Sequence, residues 1–154
     1  MVNRVGYCDY HCTLCAAACP TGAIRNFSLD EKLGRPPHTR PIRIGTAFVD
    51  RSRCIPWAMN MPCIVCEEVC PVSPKAIYIE RAEVEDSAGR KVVLQRPVVD
   101  PARCIGCGLC ENRCPVFDKR AIRVTSVGES RSDRNILLYP GAASPDAAGE
   151  EVEG

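Results

Sequence analysis

Residues 104–115 read Cys104-Ile105-Gly106-Cys107-Gly108-Leu109-Cys110-Glu111-Asn112-Arg113-Cys114-Pro115. Two residues separate the first three cysteines from one another, and three residues separate the third from the fourth, which precedes a proline. Two other stretches of the chain end in the same phrase, Cys-x2-Cys-x3-Cys-Pro. The twelve cysteines therefore fall into three sets of four: Cys8, Cys12, Cys15 and Cys19; Cys54, Cys63, Cys66 and Cys70; and Cys104, Cys107, Cys110 and Cys114.

This spacing is typical of iron–sulfur proteins. A loop with Cys-x2-Cys-x2-Cys can supply thiolates to three irons of a [4Fe–4S] cube, while the fourth thiolate comes from elsewhere. Structural zinc sites use two Cys-x2-Cys knuckles separated by a spacer, whereas three cysteines in one short loop suit a cube. A plant-type [2Fe–2S] site would need Cys-x4-Cys-x2-Cys, which this sequence lacks. The sequence therefore predicts three [4Fe–4S] clusters.

The ligand sets of two clusters can be predicted from the prolines. In the bacterial two-cluster arrangement, the cysteine before proline ligates the other cluster. The second and third motifs would then exchange their last cysteines. One predicted set is Cys54, Cys63, Cys66 and Cys114, and the other is Cys104, Cys107, Cys110 and Cys70.

The first motif has no partner for such an exchange. Either Cys8, Cys12, Cys15 and Cys19 hold a cluster of their own, or Cys19 ligates a cluster in a partner subunit whose cysteine is returned. We favour the self-contained cluster. His11 is a further candidate ligand, but four cysteines are already present, and a surface or packing role is favoured for it.

An internal repeat organises the chain around these motifs. The sequence Val49-Asp50 precedes Cys54, Val99-Asp100 precedes Cys104, and Ala-Ile follows each Cys-Pro after a short loop. The repeated unit is predicted to be strand, cysteine loop, short helix and strand. Segments 77–85 and 90–99 are strand-like and should form a β-hairpin. We therefore expect an α+β fold of ferredoxin-like cluster-binding repeats with short helices, a β-hairpin insertion and loop-rich cysteine motifs.

Composition suggests three regions. Residues 1–41 carry the first motif and a proline-rich linker over 30–41, and residues 42–127 form a two-cluster, bacterial ferredoxin-like domain. Residues 128–154 form a polar C-terminal tail with one apolar tetrad, Ile136-Leu137-Leu138-Tyr139. The insertion at 55–62 contains the only tryptophan. This insertion is either a docking surface and shield or an apolar cap on a thin core, and the cap is favoured.

Charge and hydropathy exclude several classes of function. The formal net charge is +1, and three clusters at about −2 each would bring the loaded protein to about −5. The sequence has no basic block that favours nucleic acid, nor an apolar run of the roughly 18 residues that a membrane span needs. No secretory signal is visible, so a cytoplasmic location is predicted. Export of the folded chain on a signal-bearing partner is the alternative.

The second and third motifs also support a family resemblance. The segments from Cys54-Ile-Pro-Trp57 to Cys70-Pro71, and from Val99-Asp100 to Cys114-Pro115, resemble the polyferredoxins associated with periplasmic nitrate reductase and methylamine dehydrogenase. They are similar, more loosely, to small iron–sulfur subunits of molybdenum and tungsten oxidoreductases and hydrogenases. Members of the family usually have four motifs, and many begin with an export signal, whereas this sequence shows three motifs and no signal.

The resemblance implies that the twelve cysteines are ligands and that the chain has no catalytic residue. It implies an electron-transfer subunit that relays single electrons to or from a catalytic oxidoreductase partner, including molybdenum- or tungsten-dependent enzymes. The alternative is an iron–sulfur redox sensor or a structural scaffold whose clusters do not transfer electrons. A stand-alone enzyme is not expected, because all four corners of each cube would be filled and no acid–base site is evident.

Overall fold

The computed structural model describes residues 6–85 and 89–130. Its helices and strands follow the chain in the order α1 (Leu14–Ala17), α2 (Leu29–Leu33), β1 (Thr46–Val49), α3 (Ile55–Ala58), α4 (Val65–Glu68), β2 (Ile77–Glu85), β3 (Lys91–Val99), α5 (Leu109–Arg113) and β4 (Ile122–Thr125). The short helices and two small antiparallel sheets confirm a mixed α/β architecture. The predicted tail lies outside the described residues beyond Ser130, and so does its apolar tetrad.

Both sheets have two strands. Strands β2 and β3 form the predicted hairpin, with Ile77 opposite Val99 at its base and Glu85 opposite Lys91 at its far end. Strands β1 and β4 pair in antiparallel fashion, although residues 50–121 lie between them in the sequence. The first sheet is therefore local, whereas the second closes a long loop that contains both repeated cysteine motifs.

The pairing of the strands follows the internal repeat. The Asp50 amide before the second motif donates to the Ala121 carbonyl after the third motif, at 2.7 Å. The Asp100 amide before the third motif donates to the Ala76 carbonyl after the second motif, also at 2.7 Å. Each motif is thus entered by a strand that pairs with the strand leaving the other motif. This reciprocal pairing brings the two cysteine loops side by side.

The core between these loops is made of small apolar side chains and cysteines. Its buried members are Ala47, Cys54, Cys66, Ala76, Ile77, Cys104, Cys110, Cys114, Ala121 and Ile122. Pro56 of the insertion is fully buried, and Trp57 packs against this core, as the apolar-cap interpretation predicts. Met59 and Met61 of the same insertion are exposed, so only its first half forms the cap.

Two glycines allow the backbone to approach the third motif closely. Gly106 has a φ of +72°, and a Cβ there would lie 2.5 Å from the backbone nitrogen and oxygen of Gly45. The Ile44 amide donates to the Ile105 carbonyl beside this contact, at 3.0 Å. The structure therefore gives Gly106 a backbone contact that any side chain would block.

The first motif departs from the predicted repeat unit. Helix α1 begins just before Cys15, much as α4 contains Cys66 and α5 contains Cys110, so each short helix precedes the last cysteine of its motif. Residues Ala23 and Ile24 nevertheless form no strand, and none is present between residues 6 and 45. The Ala-Ile pair alone is therefore insufficient for a strand, because an edge needs a partner for its backbone hydrogen bonds.

The segment expected to be a linker begins with a helical turn. The Ser28 side chain accepts a hydrogen bond from the Glu31 amide at 3.1 Å, which caps the start of α2. Gly34 ends α2 in the left-handed conformation, and a Cβ there would meet the backbone nitrogen of Pro41 at 2.6 Å. The segment predicted to be a linker thus contains a short helix at its start, and its role as a linker stays a prediction. No helix in the described ranges has the length and apolar character that crossing a membrane requires.

Candidate metal centres

Two apolar cavities in the core are each lined by four cysteines. The cysteines that line the first cavity are Cys54, Cys63, Cys66 and Cys114. The cysteines that line the second cavity are Cys70, Cys104, Cys107 and Cys110. These are the sets that the exchange of last cysteines predicts, and their role as metal ligands stays a prediction.

Local structure holds these cysteines in similar ways in the two repeats. The Cys54 amide donates to the Asp50 carbonyl at 3.0 Å, and the Cys104 amide donates to the Asp100 carbonyl at 3.1 Å. The Cys104 sulfur also accepts a hydrogen bond from the Ala47 amide at 3.3 Å. An amide aimed at sulfur stabilises the thiolate and, in iron–sulfur proteins, is one of the factors that set the reduction potential.

Burial disfavours bare thiolates in both cavities. Burial, with a smaller contribution from repulsion by cysteines of the same cavity, raises the pKa of Cys54 to about 11 and that of Cys66 to about 12. In the second cavity burial raises the pKa of Cys107 to about 11 and that of Cys110 well above its usual range. Four thiolates in such a cavity require a positive partner, and iron supplies that charge.

The arrangement suits a cluster better than a single ion. No group of three or more His, Cys, Asp or Glu side chains in residues 6–85 and 89–130 converges as a lone metal ion requires. A cube differs, because each thiolate binds a different iron and the four sulfurs surround a volume. The two cavities with four cysteines each therefore fit [4Fe–4S] clusters.

Contacts between the motifs indicate which sets are neighbours. Cys66 of the first cavity contributes to the raised pKa of Cys110 in the second, after the larger effects of burial and of Cys107 and Cys104. Cys8 contributes in the same direction to the pKa of Cys107, although burial dominates there too. The Cys8 amide also donates to the Cys107 carbonyl at 2.7 Å. The second cavity therefore adjoins both the first cavity and the N-terminal motif.

The N-terminal motif is the most exposed of the three. Cys15 is exposed, and Cys8, Cys12 and Cys19 are half-buried. The Cys19 sulfur accepts a hydrogen bond from the Ile24 amide at 3.4 Å. This bond and the Thr21 hydroxyl lower the pKa of Cys19 to about 7. His11 is exposed and packs edge-on against Tyr10, with ring centroids 5.1 Å apart, so its surroundings match a packing role.

Three long basic side chains hold the cysteine loops. Arg43 donates to the Cys104 carbonyl at 3.0 Å and to the Pro101 carbonyl. Arg120 donates to the Cys114 carbonyl. Lys32 contacts the N-terminal motif. The sequence did not single out Lys32 or Arg43, although Ser28-x-x-Glu31 is a capping signature that predicts the helix carrying Lys32.

Known proteins support the metal chemistry of these motifs. Residues 61–117 match the family of 4Fe-4S dicluster domains. The chain is 40% identical to the methylamine utilization ferredoxin-type protein MauM of Paracoccus denitrificans over 111 residues, which cover 71% of this chain and 43% of that protein. It is 32% identical to the ferredoxin-type protein NapG of Haemophilus influenzae over 111 residues, which cover 71% of this chain and 36% of that protein.

The chain thus spans less than half the length of these relatives. No solved structure matches it significantly. These relatives confirm the predicted resemblance to ferredoxin-type proteins. The chain is a homologue of these ferredoxin-type iron–sulfur proteins and contains a 4Fe-4S dicluster domain at residues 61–117.

Proposed function

We propose that this chain holds three [4Fe–4S] clusters and relays single electrons to or from a larger oxidoreductase partner. The observation that carries the proposal is the pair of adjoining cavities, each lined by four cysteines. Clusters of this kind supply one-electron redox chemistry when bound. The relatives are ferredoxin-type proteins, which favours electron transfer over catalysis by the chain itself.

The twelve cysteines have the ligand role in this proposal. Two clusters would be held by the two cavity sets, within a ferredoxin-like unit over residues 42–127. The third would be held by Cys8, Cys12, Cys15 and Cys19 in residues 1–41. The apolar walls of the cavities, which include the buried Ile122 and the half-buried Val49 and Val124, would keep water away from the sulfurs.

The contacts between motifs favour a linear order that differs from the order along the chain. The Cys8 amide donates a hydrogen bond to the Cys107 carbonyl of the third motif, in the second cavity. Cys66 of the first cavity contributes to the raised pKa of Cys110 in the second cavity. In the proposed relay the second cavity is therefore central. The N-terminal motif and the first cavity, which both adjoin it, would provide the two ends at which partners exchange electrons.

The proposed partner is a catalytic oxidoreductase subunit. The relatives are named as ferredoxin-type proteins, and the one from Paracoccus denitrificans is named for methylamine utilization. These names describe the relatives themselves. A molybdenum- or tungsten-dependent partner follows only from the looser resemblance of the motifs. The cytoplasmic location stays a prediction.

Anaerobic purification followed by an iron count and a redox titration tests the proposal. About twelve irons per chain and reversible one-electron reduction are expected. About eight irons would remove the N-terminal cluster from the proposal. Clusters that are present but do not reduce reversibly would favour the scaffold alternative, and a colourless or zinc-containing protein would overturn the proposal altogether.

A further inference from the structure

Lys32 is an unusually buried cation beside the N-terminal motif. Its residue is only 6% exposed, although lysine is almost never buried without a charge partner. Helix α2 positions it, because the Ser28 cap fixes the start of the helix and Gly34 closes its end. The Lys32 carbonyl accepts a hydrogen bond from the Ile42 amide at 3.0 Å, which ties the helix to the chain beyond the prolines.

The ammonium group of Lys32 points into the first cysteine loop. It donates to the Asp9 carbonyl at 2.6 Å and to the Cys12 carbonyl, and its third contact is the Cys8 sulfur at 3.5 Å. None of its contacts with the described residues involves a carboxylate. Two neutral oxygens satisfy hydrogen bonds without neutralising the charge.

A buried positive charge without an anion is costly, because its hydration is lost without compensation. Among the contacts that Lys32 makes with the described residues, the Cys8 sulfur is the atom that can become anionic. A [4Fe–4S] cube with four thiolates carries about two negative charges when oxidised and one more when reduced. A cluster at the first motif would therefore supply the negative charge that compensates the buried ammonium group of Lys32.

We propose that Lys32 is the built-in charge partner of the N-terminal cluster and raises its reduction potential. This inference rests on the proposed function, since it requires a cluster on Cys8, Cys12, Cys15 and Cys19. A fixed cation stabilises the reduced state more than the oxidised state, because the reduced cluster is more negative. Burial keeps solvent and salt from screening that interaction.

Arg43 and Arg120, the other two basic side chains that hold the cysteine loops, make different contacts from those of Lys32. Arg43 donates to the carbonyls of Cys104 and Pro101, near the third motif, and to the Thr46 hydroxyl. Arg120 donates to the carbonyls of Cys114 and Val116. Lys32 is the one of the three that also donates to a cysteine sulfur. Its effect on potential should therefore be confined to the N-terminal centre.

Three substitutions separate charge from hydrogen bonding. Lys32→Met removes both, Lys32→Gln keeps an amide donor without the charge, and Lys32→Arg keeps the charge. Lys91→Met is the matched control, because Lys91 is an exposed residue at the start of β3 and loses the same charge. Replacing the four first-motif cysteines with serine identifies the electron paramagnetic resonance signal of the N-terminal centre by difference.

Each full-length variant is purified anaerobically, its iron is counted, and its midpoint potentials are followed by electron paramagnetic resonance. We expect Lys32→Met and Lys32→Gln to shift the N-terminal centre to more negative potential and to leave the other two centres unchanged. Lys32→Arg and Lys91→Met should keep the wild-type potentials. Loss of about four irons in the Met and Gln variants but not in the Arg variant would also support a required charge.

Two results would overturn the inference while the proposed function survives. One is an unchanged N-terminal potential in both neutral variants of a protein with about twelve irons. The other is loss of the N-terminal iron in all three Lys32 variants, which would make Lys32 a purely steric part of the loop. A wild-type protein with only about eight irons would overturn the inference together with the third cluster of the proposed function.

Discussion

Most cysteines of the second and third motifs are buried, whereas none of the first motif's cysteines is. Cys110 and Cys114 are 7% and 6% exposed and Cys63 and Cys70 are half-buried, but Cys15 is exposed and its three companions are half-buried. The pKa values also differ: burial raises the pKa of Cys66 to about 12, while hydrogen bonds lower the pKa of the half-buried Cys19 to about 7. The same cysteine phrase thus occurs in two different environments.

The flanking strands account for this difference. Strands β1 and β4, and β2 and β3, enclose the second and third motifs and supply the apolar walls of their cavities. Residues Ala23 and Ile24 follow the first motif but form no strand. The motif therefore specifies the thiolates, and the strands around it specify how far they are from water.

The largest effect is expected from a matched pair of serine substitutions, one at a buried cysteine and one at an exposed cysteine. Cys110→Ser should remove the iron of the second cavity and abolish cooperative thermal unfolding, because the cavity it lines is part of the core. Cys15→Ser should remove only about four irons. Because Cys15 is exposed and the first motif contributes no cysteine to the main cluster of buried core residues, the rest of the protein should still unfold cooperatively.

Iron analysis and thermal unfolding monitored by circular dichroism measure both effects. Similar melting curves for the two variants would show that the buried set contributes no more to folding than the exposed set. The distinction between the two environments would then have no energetic consequence.

Controlled oxidation should distinguish the centres kinetically. Thiolates and clusters near the surface meet oxidants first, so the iron content should fall from about twelve to a plateau near eight before the buried clusters are lost. Variants with serine at Cys8, Cys12, Cys15 and Cys19 should lack the fast phase. A single rate of iron loss in the wild-type protein would contradict the difference in exposure.

A smaller effect is expected from a matched pair of glycine substitutions. Gly106 and Gly22 have φ angles of +72° and +67°, so alanine costs about 1–2 kcal/mol of backbone strain at either position. At Gly106 the new Cβ would also collide with the Gly45 backbone, whereas at Gly22 nothing lies within 4 Å. Gly106→Ala should therefore cost at least about 1–3 kcal/mol more than Gly22→Ala.

The guanidinium concentration at which the visible absorbance of the clusters is lost compares these two variants. Gly106→Ala should lose its absorbance at a clearly lower concentration than Gly22→Ala. Equal midpoints would mean that strain alone acts at both positions and that the close backbone approach is not required.

The features that could be predicted from the sequence are those that depend on residue type and spacing. The cysteine sets follow from spacing and proline, and the β2–β3 hairpin follows from two strand-like runs around a turn. Helix α2 is not predicted, because the prolines at 36, 37 and 41 indicate a linker. Ser28 and Glu31 nevertheless carry a capping signature that indicates the start of a helix. A residue-type signal was present there and was not used.

Other features could not have been read from the residues. Lys32 reaches carbonyls 20 and 23 positions earlier in the chain, and Arg43 reaches one 61 positions later. A carbonyl acceptor exists at every residue, so no side-chain pattern identifies these contacts. The contact between Gly45 and Gly106 likewise depends on how β1 and the third motif meet in three dimensions.

The smallest predicted effect concerns the insertion that covers the first cavity. Trp57 donates its ring N–H to the Pro97 carbonyl at 3.1 Å, and the guanidinium groups of Arg51 and Arg96 lie 4.1 and 4.8 Å from its ring centroid. Trp57→Phe removes the hydrogen bond and weakens the cation–π contacts but keeps an aromatic ring over the core. It should cost about 1–2 kcal/mol.

Met59→Ala is the control within the same insertion, because Met59 is 60% exposed. Its effect should be about 0.5 kcal/mol or less. Thermal unfolding of the loaded protein compares the two variants, and Trp57→Phe should give the lower midpoint. If Met59→Ala were the more damaging, the exposed half of the insertion would be the part that stabilises the fold, because the buried half would then contribute less than its packing against the core indicates.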